Sequence, residues 1–323
     1  MRPAFCLRMK IGKNGEIVAF EPEIARARLA ANLLYEDVQA VLEGSESPDN
    51  PAFKYREQLF AAREMANARE NYRVDQGAII IRKTESKVTL EERDGDIIVR
   101  LEPESPNYDA SRIVGELMVA ASAEFARWAT EHDLPLIYRT QNVTVPREYA
   151  GVWEKPEDMA RIMRSLAHSI LETSPRPHAA LGLPCYAPVT SPIRRYADLV
   201  NEAQAMHFIA KGSPRWTEEE LEKLLDSFSP DLEAASQVQR FRPRYWKLLY
   251  LKQLGEKEWI PAVITEENDN FVSVSALDGA LFLRGRRGLF DERAVPGMNV
   301  MIRAGKVNPL YNESQILEVL PIE

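Results

Sequence analysis

The chain is poor in the residues that build metal centres and covalent frameworks. Two cysteines, Cys6 and Cys185, occur in 323 residues, too few for a disulfide scaffold or a cysteine-rich zinc site. The four histidines include no close pair at ligand spacing. No apolar run approaches the length that crosses a bilayer, and the opening MRPAFCLRMKIGKNG lacks an apolar stretch with a small-residue cleavage site. A reducing, cytoplasmic compartment and no membrane partner are expected. A glycine-rich phosphate loop, a nucleophile elbow, a metal-ligand motif, internal repeats and a low-complexity tail are also missing. Basic residues are outnumbered, 41 Lys+Arg against 49 Asp+Glu, for a net charge of −8. Coating nucleic acid through overall charge is thereby excluded, although local basic patches are not.

What is present is ordinary globular composition, with 45% hydrophobic and 28% charged residues. The length suits about two or three folding units. Residues 4–20 alternate apolar and polar around Lys13-Asn14-Gly15 and predict a hairpin. A strand pair at the very start has no obvious sheet partners nearby, so the sequence is expected to begin inside a domain.

Helical spacing follows over 23–43, with Ile24, Ala27, Leu34, Val38 and Leu42 on one face, and over 53–73 beyond the spacer SESPDNP. Residues 77–101 switch to period-two runs around Asp94-Gly95, a short antiparallel sheet with a hairpin turn. A helix over 109–131 carries the stripe Ile113, Leu117, Ala121, Phe125 and Trp128, and another amphipathic helix is expected at 156–172.

A proline-rich loop over 174–189 leads to a helix starting near Ser191. Thr217 to Glu220 form a capping box, and Ser229-Pro230 is expected to open a further helix to Leu254. Beyond Gly255, five short alternating runs near 259–265, 270–276, 280–284, 298–304 and 315–320 predict a small antiparallel barrel. The fold class is therefore α+β: a mixed helix and antiparallel-sheet portion over 1–254, then a β-barrel over 256–323.

Thr190-Ser191-Pro192-Ile193-Arg194-Arg195-Tyr196-Ala197-Asp198 is the most informative segment. Ser191 suits an N-cap and Pro192 the first helical position, which would set Arg194 and Arg195 in the first turn. Cations there oppose the helix dipole at about 0.3–1 kcal/mol each. Spare N–H groups and two guanidinia make that spot suitable for a phosphate. The plainer alternative pairs Arg195 with Asp198, and Arg194 with Asp198 or Glu202, as surface ion pairs.

A second signal lies in 234–255, where Arg240, Arg242, Arg244, Lys247 and Lys252 occur without one acid and alternate with Phe241, Tyr245, Trp246 and Tyr250. Such interleaving suits a groove that tracks a single strand and stacks its bases. For Trp246 and Tyr250, core packing at helical spacing is the preferred reading. The barrel repeats the basic theme with Arg284, Arg286, Arg287, Arg303 and Lys306. Glu116 sits beside the apolar stripe of its helix, so it is expected to be partly buried with a partner such as a hydroxyl or Arg112. Tyr35 reads by default as core packing, and His178 as a hydrogen-bonding loop residue.

The run PRPHAALGLPCYAPVTSPIRRYADLV (175–200) resembles the signature of the RNB family, the ribonuclease II-type exoribonucleases. LLYEDVQAVL (33–42), GAIII (77–81), RIVGELMVAAS (112–122) and LPLIYRTQ (134–141) are similar to further family segments, and the closing barrel resembles the family's oligonucleotide-binding (OB) barrel.

The resemblance implies processive hydrolysis of single-stranded RNA from its 3′ end, releasing nucleoside 5′-monophosphates, with Mg²⁺ as cofactor. It implies that Arg194 contacts the scissile phosphate; Ser191 and Arg195, from the helix-start reading, and Arg240 and Arg244, from the basic run, are expected to bind RNA. Tyr35 and Glu116 match positions that set the 3′ nucleotide and sense the ribose 2′-hydroxyl.

The departures are as informative. The family's Mg²⁺-binding aspartates lie N-terminal to the segment where this sequence begins, and nothing in 1–323 replaces them, so no metal ligand is expected within this chain. Isoleucine 81 stands where some members carry a base-clamping aromatic, Arg240 where some carry a glutamate, and Ser122 where the family has asparagine. The expected partners are single-stranded RNA, a segment supplying the aspartates, and other RNA-processing proteins. Two outcomes compete: part of an active exoribonuclease, or a catalytically silent RNA-binding or regulatory protein of the same fold.

Overall fold

The first elements form the predicted hairpin, and it is longer than the sequence suggests. In a computed structural model that describes residues 1–45, 47, 49–83, 86–103 and 108–322, with the backbone alone at Pro103, β1 (Arg2–Ile11) pairs antiparallel with β2 (Ile17–Ala27) from Arg2↔Ala27 to Ile11↔Ile17. Strand β2 thus takes residues that the helical spacing had assigned to 23–43, and α1 spans only Tyr35–Glu43. Ile24 and Ala27 satisfy either periodicity, and cross-strand pairing with β1 decides between them. The hairpin's support comes from a helix face: Phe5, Leu7 and Phe20 pack against the core around Phe125, with the Phe5 and Phe125 rings edge-to-face at 6.2 Å.

After a 3₁₀ turn at Phe53–Tyr55 comes α2 (Arg56–Asp75). Positions 46 and 48 of the spacer lie outside the described residues. Strand β3 (Ile79–Ile81) is short and stands apart from the next pair, β4 (Ser86–Arg93) and β5 (Asp96–Pro103). Those two strands turn through Asp94 and Gly95, both with positive φ, as a two-residue hairpin loop requires. Helix α3 (Tyr108–Glu131) buries Ile113, Ala121 and Phe125 along the predicted stripe.

Strands β6 (Tyr138–Thr140) and β7 (Gly151–Trp153) precede α4 (Pro156–Ser165). The helix expected over 156–172 stops at Ser165, because Ile170–Glu172 form β8, which pairs with β6. Helix α5 covers Tyr196–Lys211. The two helices expected beyond 217 are one, α6 (Glu218–Leu254), with Pro230 and Pro243 inside it. Each proline forfeits one N–H bond, while fully buried Leu221 anchors one end of the helix and Leu248 and Leu251 the other. The capping box at its start is realised: Thr217 Oγ1 accepts from Glu220 N–H at 3.3 Å, and Glu220 Oε2 accepts from Thr217 N–H at 2.9 Å.

Strands β9 (Trp259–Glu267), β10 (Phe271–Ala276), β11 (Leu281–Arg286), β12 (Asn299–Asn308) and β13 (Glu313–Pro321) lie where the five alternating runs predict them. Their order, β11-β10-β9-β12-β13, is all antiparallel and belongs to an OB-type barrel. The sheet nearly closes on itself. A Cβ on Gly285 of β11 would lie 2.9 Å from Phe290 and 3.2 Å from Ile316 of β13, so only glycine fits where those strands approach. Inward residues Ile264, Val272, Val274, Leu281 and Ile302 fill the interior.

Residues gather into two compact units: Met1–Ile80, Asn107–Gly151 and Leu166–Phe228 in one, Ile81–Pro106, Val152–Ser165 and Ser229–Glu323 in the other. The first holds the hairpin and most helices. The second holds the barrel with α4 on β9 and the β4–β5 hairpin, to which Gln253 is tied through Val99 N–H at 3.0 Å and Ile97 O at 2.7 Å.

Candidate functional site

In the first unit, the proline-rich loop is held by backbone and side-chain bonds on both flanks. His178 N–H donates to Leu183 O at 2.9 Å, Ala179 N–H to Gln141 O at 3.1 Å, and Ala180 N–H to Gln141 Oε1 at 2.8 Å. Gly182 turns the loop with φ +64, and a Cβ there would lie 2.6 Å from Ala78 N. The GAIII segment and the GLP turn are therefore locked backbone against backbone. His178 is buried with Nδ1 unpartnered among the described residues, and burial first, then the charge of Arg139, pushes its pKa down to about 4. It is a neutral loop imidazole at pH 7.

The helix does not begin at Ser191. The N–H groups of Arg194 and Arg195 both donate to Ser191 O, at 3.2 and 3.0 Å, and Arg195 then leaves helical geometry at φ −127, ψ 114. Helix α5 starts one residue later, so neither arginine sits in its first turn and the expected dipole penalty does not arise. Asp198, fully buried, reaches back to organise the turn: its Oδ1 accepts from Ser191 N–H at 2.9 Å and from Arg195 Nη2 at 2.6 Å. Ser191 is thus capped through its own N–H and is buried.

The two arginines divide. Arg195 is committed to Asp198 and to Thr190 Oγ1 at 3.1 Å, as the ion-pair alternative expects. Arg194 is exposed, and its side chain has no hydrogen bond or ion pair with any described residue. The expected pairing of Arg194 with Asp198 or Glu202 does not occur. Glu202 is half-buried near Asp198, and burial first, then that charge, raises its pKa to about 7.

Glu116 is buried on α3, and its partner is neither a hydroxyl nor Arg112. It receives a two-pronged contact from Arg73 of α2, Nε to Oε2 at 3.0 Å and Nη2 to Oε1. Arg112 turns to Asp109 and Glu70. No local signal points to Arg73, which lies 43 residues upstream. Tyr35, expected in the core, is 47% exposed as the first residue of α1. Among the described residues no hydrogen bond or ion pair joins Tyr35, Glu116 and Arg194.

In the second unit, Arg240 is exposed and pairs with Glu233 at 3.2 Å. Arg244 is committed to the barrel, donating to Asn312 Oδ1 and to Phe282 O at 3.1 Å, and burial lowers its pKa. Trp246 and Tyr250 are half-buried, in keeping with the packing reading. Of the barrel arginines, Arg287 is absorbed by the carbonyls of Asp291 and Glu292, and Arg303 by Glu318.

The outer face of β10 and β11 is different. Register sets Phe271 opposite Arg286, Ser273 opposite Arg284 and Ser275 opposite Phe282, and both phenylalanines and both arginines are exposed. Arg284 lies over the Phe271 ring at 5.7 Å and Lys83 Nζ over Phe282 at 5.3 Å. Sequence reading singled out the arginines and missed the two aromatics, although Phe282, Arg284 and Arg286 fall on the polar phase of β11's alternation. Aromatic platforms among cations suit stacked bases and a phosphate backbone.

No three His, Cys, Asp or Glu side chains come together as metal ligands among the described residues. Asp198 spends Oδ1 on Ser191 and Arg195 and has Oδ2 without a hydrogen-bond partner, and among the described residues one such oxygen does not by itself fit a divalent-cation centre. No helix among the described residues is long and apolar enough to cross a membrane.

The model of the RNB domain matches residues 1–211, and this chain belongs to the RNB domain family. An uncharacterized ribonuclease of Synechocystis is 28% identical over 299 residues, covering 90% of this chain and 42% of that protein. Exoribonuclease 2 of Serratia proteamaculans is 25% identical over 331 residues, covering 91% and 48%. The chain thus spans about half the length of these curated relatives. Among solved structures, Mycoplasma genitalium RNase R in complex with ribose-methylated single-stranded RNA shares the fold with a TM-score of 0.73 at 15% identity, over 97% of this chain and 57% of that one.

Proposed function

We propose that this chain is the RNA-gripping part of a 3′-to-5′ exoribonuclease that hydrolyses single-stranded RNA to nucleoside 5′-monophosphates. The Mg²⁺-binding aspartates come from outside residues 1–323. The observation that carries this reading is the split arginine pair: Asp198 fixes the turn through Arg195 and Ser191 while Arg194 is left exposed and unpaired. A guanidinium presented from a rigid turn offers a planar fork of donors matched to two phosphate oxygens. In this reading Arg194 contacts the scissile phosphate, Tyr35 packs against the 3′ nucleotide, and Glu116 accepts a hydrogen bond from the ribose 2′-hydroxyl, which favours RNA over DNA.

The barrel binds the strand upstream, with Phe271 and Phe282 stacking bases and Arg284 and Arg286 meeting phosphates. Arg240 adds charge at the surface, whereas Arg244 holds the barrel to α6 and contributes to RNA binding through that scaffold. Complexes of RNase R with single-stranded and with double-stranded RNA support RNA as the ligand.

The test is Arg194→Ala in the protein completed by its aspartate-bearing segment. Turnover of single-stranded RNA falls about 10²-fold or more, the scale for losing one preorganised charge donor, while RNA affinity stays within about threefold because the barrel still holds the strand. Equal losses in both would make Arg194 a binding residue and refute its role at the scissile phosphate. A second reading, a catalytically silent RNA-binding protein, is separated by Mn²⁺ titration. Joining the aspartate-bearing segment creates a tight site only if the enzyme reading holds.

A further inference from the structure

Arg73 is, with Arg69, a buried arginine of α2, a helix whose sequence is predominantly polar. Its side chain is 7% exposed, and that of its partner Glu116 5%. Two of its nitrogens meet the two oxygens of Glu116, and Nη1 donates to Leu181 O at 3.3 Å. Its backbone carbonyl accepts from Ala78 N–H at 2.8 Å and would touch a Cβ on Gly182 at 2.9 Å. One residue therefore joins α2, the Glu116 carboxylate on α3, and the loop that leads to Arg194.

The neighbourhood explains why this is not an interchangeable ion pair. Arg69, one turn earlier, donates to Gly15 O and has its pKa lowered by burial first. Arg112 is taken by Asp109 and Glu70. Neither can replace Arg73 at Glu116 without abandoning its own partner.

A guanidinium has five donors and no acceptor, so a two-pronged contact needs both carboxylate oxygens as acceptors. It uses one lone pair on each and leaves another on each. The carboxylate is thereby fixed in plane and presents itself to a ligand only as an acceptor. The complementary ligand group is a hydroxyl that donates.

We infer that Arg73 is a positioning residue for ribose recognition: it fixes Glu116 as a rigid acceptor for the 2′-hydroxyl, and ties that acceptor to the Leu181 carbonyl so that ribose and phosphate recognition share one frame. This rests on the reading that Glu116 meets the ribose. Arg73 itself touches no RNA. Its loss should therefore lower the preference for RNA over DNA more than it lowers affinity as a whole.

The test measures binding of the full chain, by fluorescence anisotropy, to two 5′-labelled single strands that differ only in having ribose or 2′-deoxyribose at the two 3′-terminal nucleotides. Wild type is expected to favour the ribose strand by about tenfold, the scale of one hydrogen bond to a charged group. Glu116→Gln and Arg73→Met should each bring that ratio close to one, and Arg73→Lys, which keeps the charge without the fork, should lower it severalfold. Circular dichroism identifies a variant that does not fold, and if Arg73→Met fails, Arg73→Lys decides. A merely structural role would weaken both strands equally and leave the ratio untouched. A ratio lost in Glu116→Gln but kept in the folded Arg73 variants overturns this inference alone. A wild-type ratio of one, or a ratio that survives Glu116→Gln, overturns the ribose reading of Glu116 and the inference with it.

Discussion

Replacing Asp198 with alanine should release the turn that presents Arg194. The carboxylate is fully buried and holds two donors, Ser191 N–H at 2.9 Å and Arg195 Nη2 at 2.6 Å. Losing it leaves a buried amide without an acceptor, which costs about 1–3 kcal/mol. It also leaves Arg195 without its counter-charge. Breaking a fully buried pair costs about 3–5 kcal/mol, but the Arg195 side chain is 34% exposed, so solvent screening brings that share down to about 1 kcal/mol. The expected loss is about 3 kcal/mol by urea unfolding.

Arg195→Met should cost about 1 kcal/mol, and the double variant little more than Asp198→Ala alone, a coupling of about 1 kcal/mol. Turnover of single-stranded RNA by the protein completed with its aspartate-bearing segment should fall with the loosened turn, while RNA affinity stays within about threefold, as for Arg194→Ala. A loss below about 0.5 kcal/mol for Asp198→Ala, the range of an ordinary surface change, would refute the reasoning, and so would strict additivity of the pair.

Two titrating groups give opposite pH signatures. Glu202 has its pKa raised from 4.5 to about 7, so its contribution to stability is full below 4.5 and is lost as pH rises through 7. Glu202→Gln should stabilise the protein by about 1–2 kcal/mol at pH 8, after allowance for screening of a half-buried group, and by almost nothing at pH 4. His178, lowered from 6.5 to about 4, contributes fully above 6.5, and that contribution is lost as pH falls through 4. His178→Gln should therefore flatten the acid side of the stability profile in urea melts recorded from pH 4 to 8. On the barrel, Phe282→Ala should weaken single-stranded RNA binding about tenfold, the scale of one stacked base, while an unchanged affinity would remove the β10–β11 face from the RNA path.

The barrel was legible because its strands alternate cleanly and are punctuated by turn residues, so each run carries its own evidence. Helix α3 was legible for the same reason, through a stripe of helical spacing. The segment 23–27 was not, since Ile24 and Ala27 fit both periods and the deciding partner is a strand seventeen or more residues away in register. The start of α5 was misplaced because Ser191-Pro192 is a good local cap signal, and Asp198 overrides it from seven residues downstream. Arg73 escaped notice for a related reason. Its helix is predominantly polar, and packing of α2 against α3 leaves both Arg69 and Arg73 buried.

The family signature placed Arg194, Tyr35 and Glu116 by resemblance. Local spacing could not tell which of two adjacent arginines is locked and which is free. That distinction depends on Asp198, whose Oδ1 takes Arg195 and not Arg194.

If this chain grips RNA and leaves the metal-dependent step to residues beyond it, binding and cleavage come apart in the isolated chain. Incubation of the purified chain with Mg²⁺ and a 3′-labelled single-stranded RNA, at concentrations where anisotropy reports full binding, tests this most directly. The expected result is bound RNA of unchanged length. Release of labelled nucleoside 5′-monophosphate at an ordinary enzymatic rate, about 1 per second or faster, would contradict it.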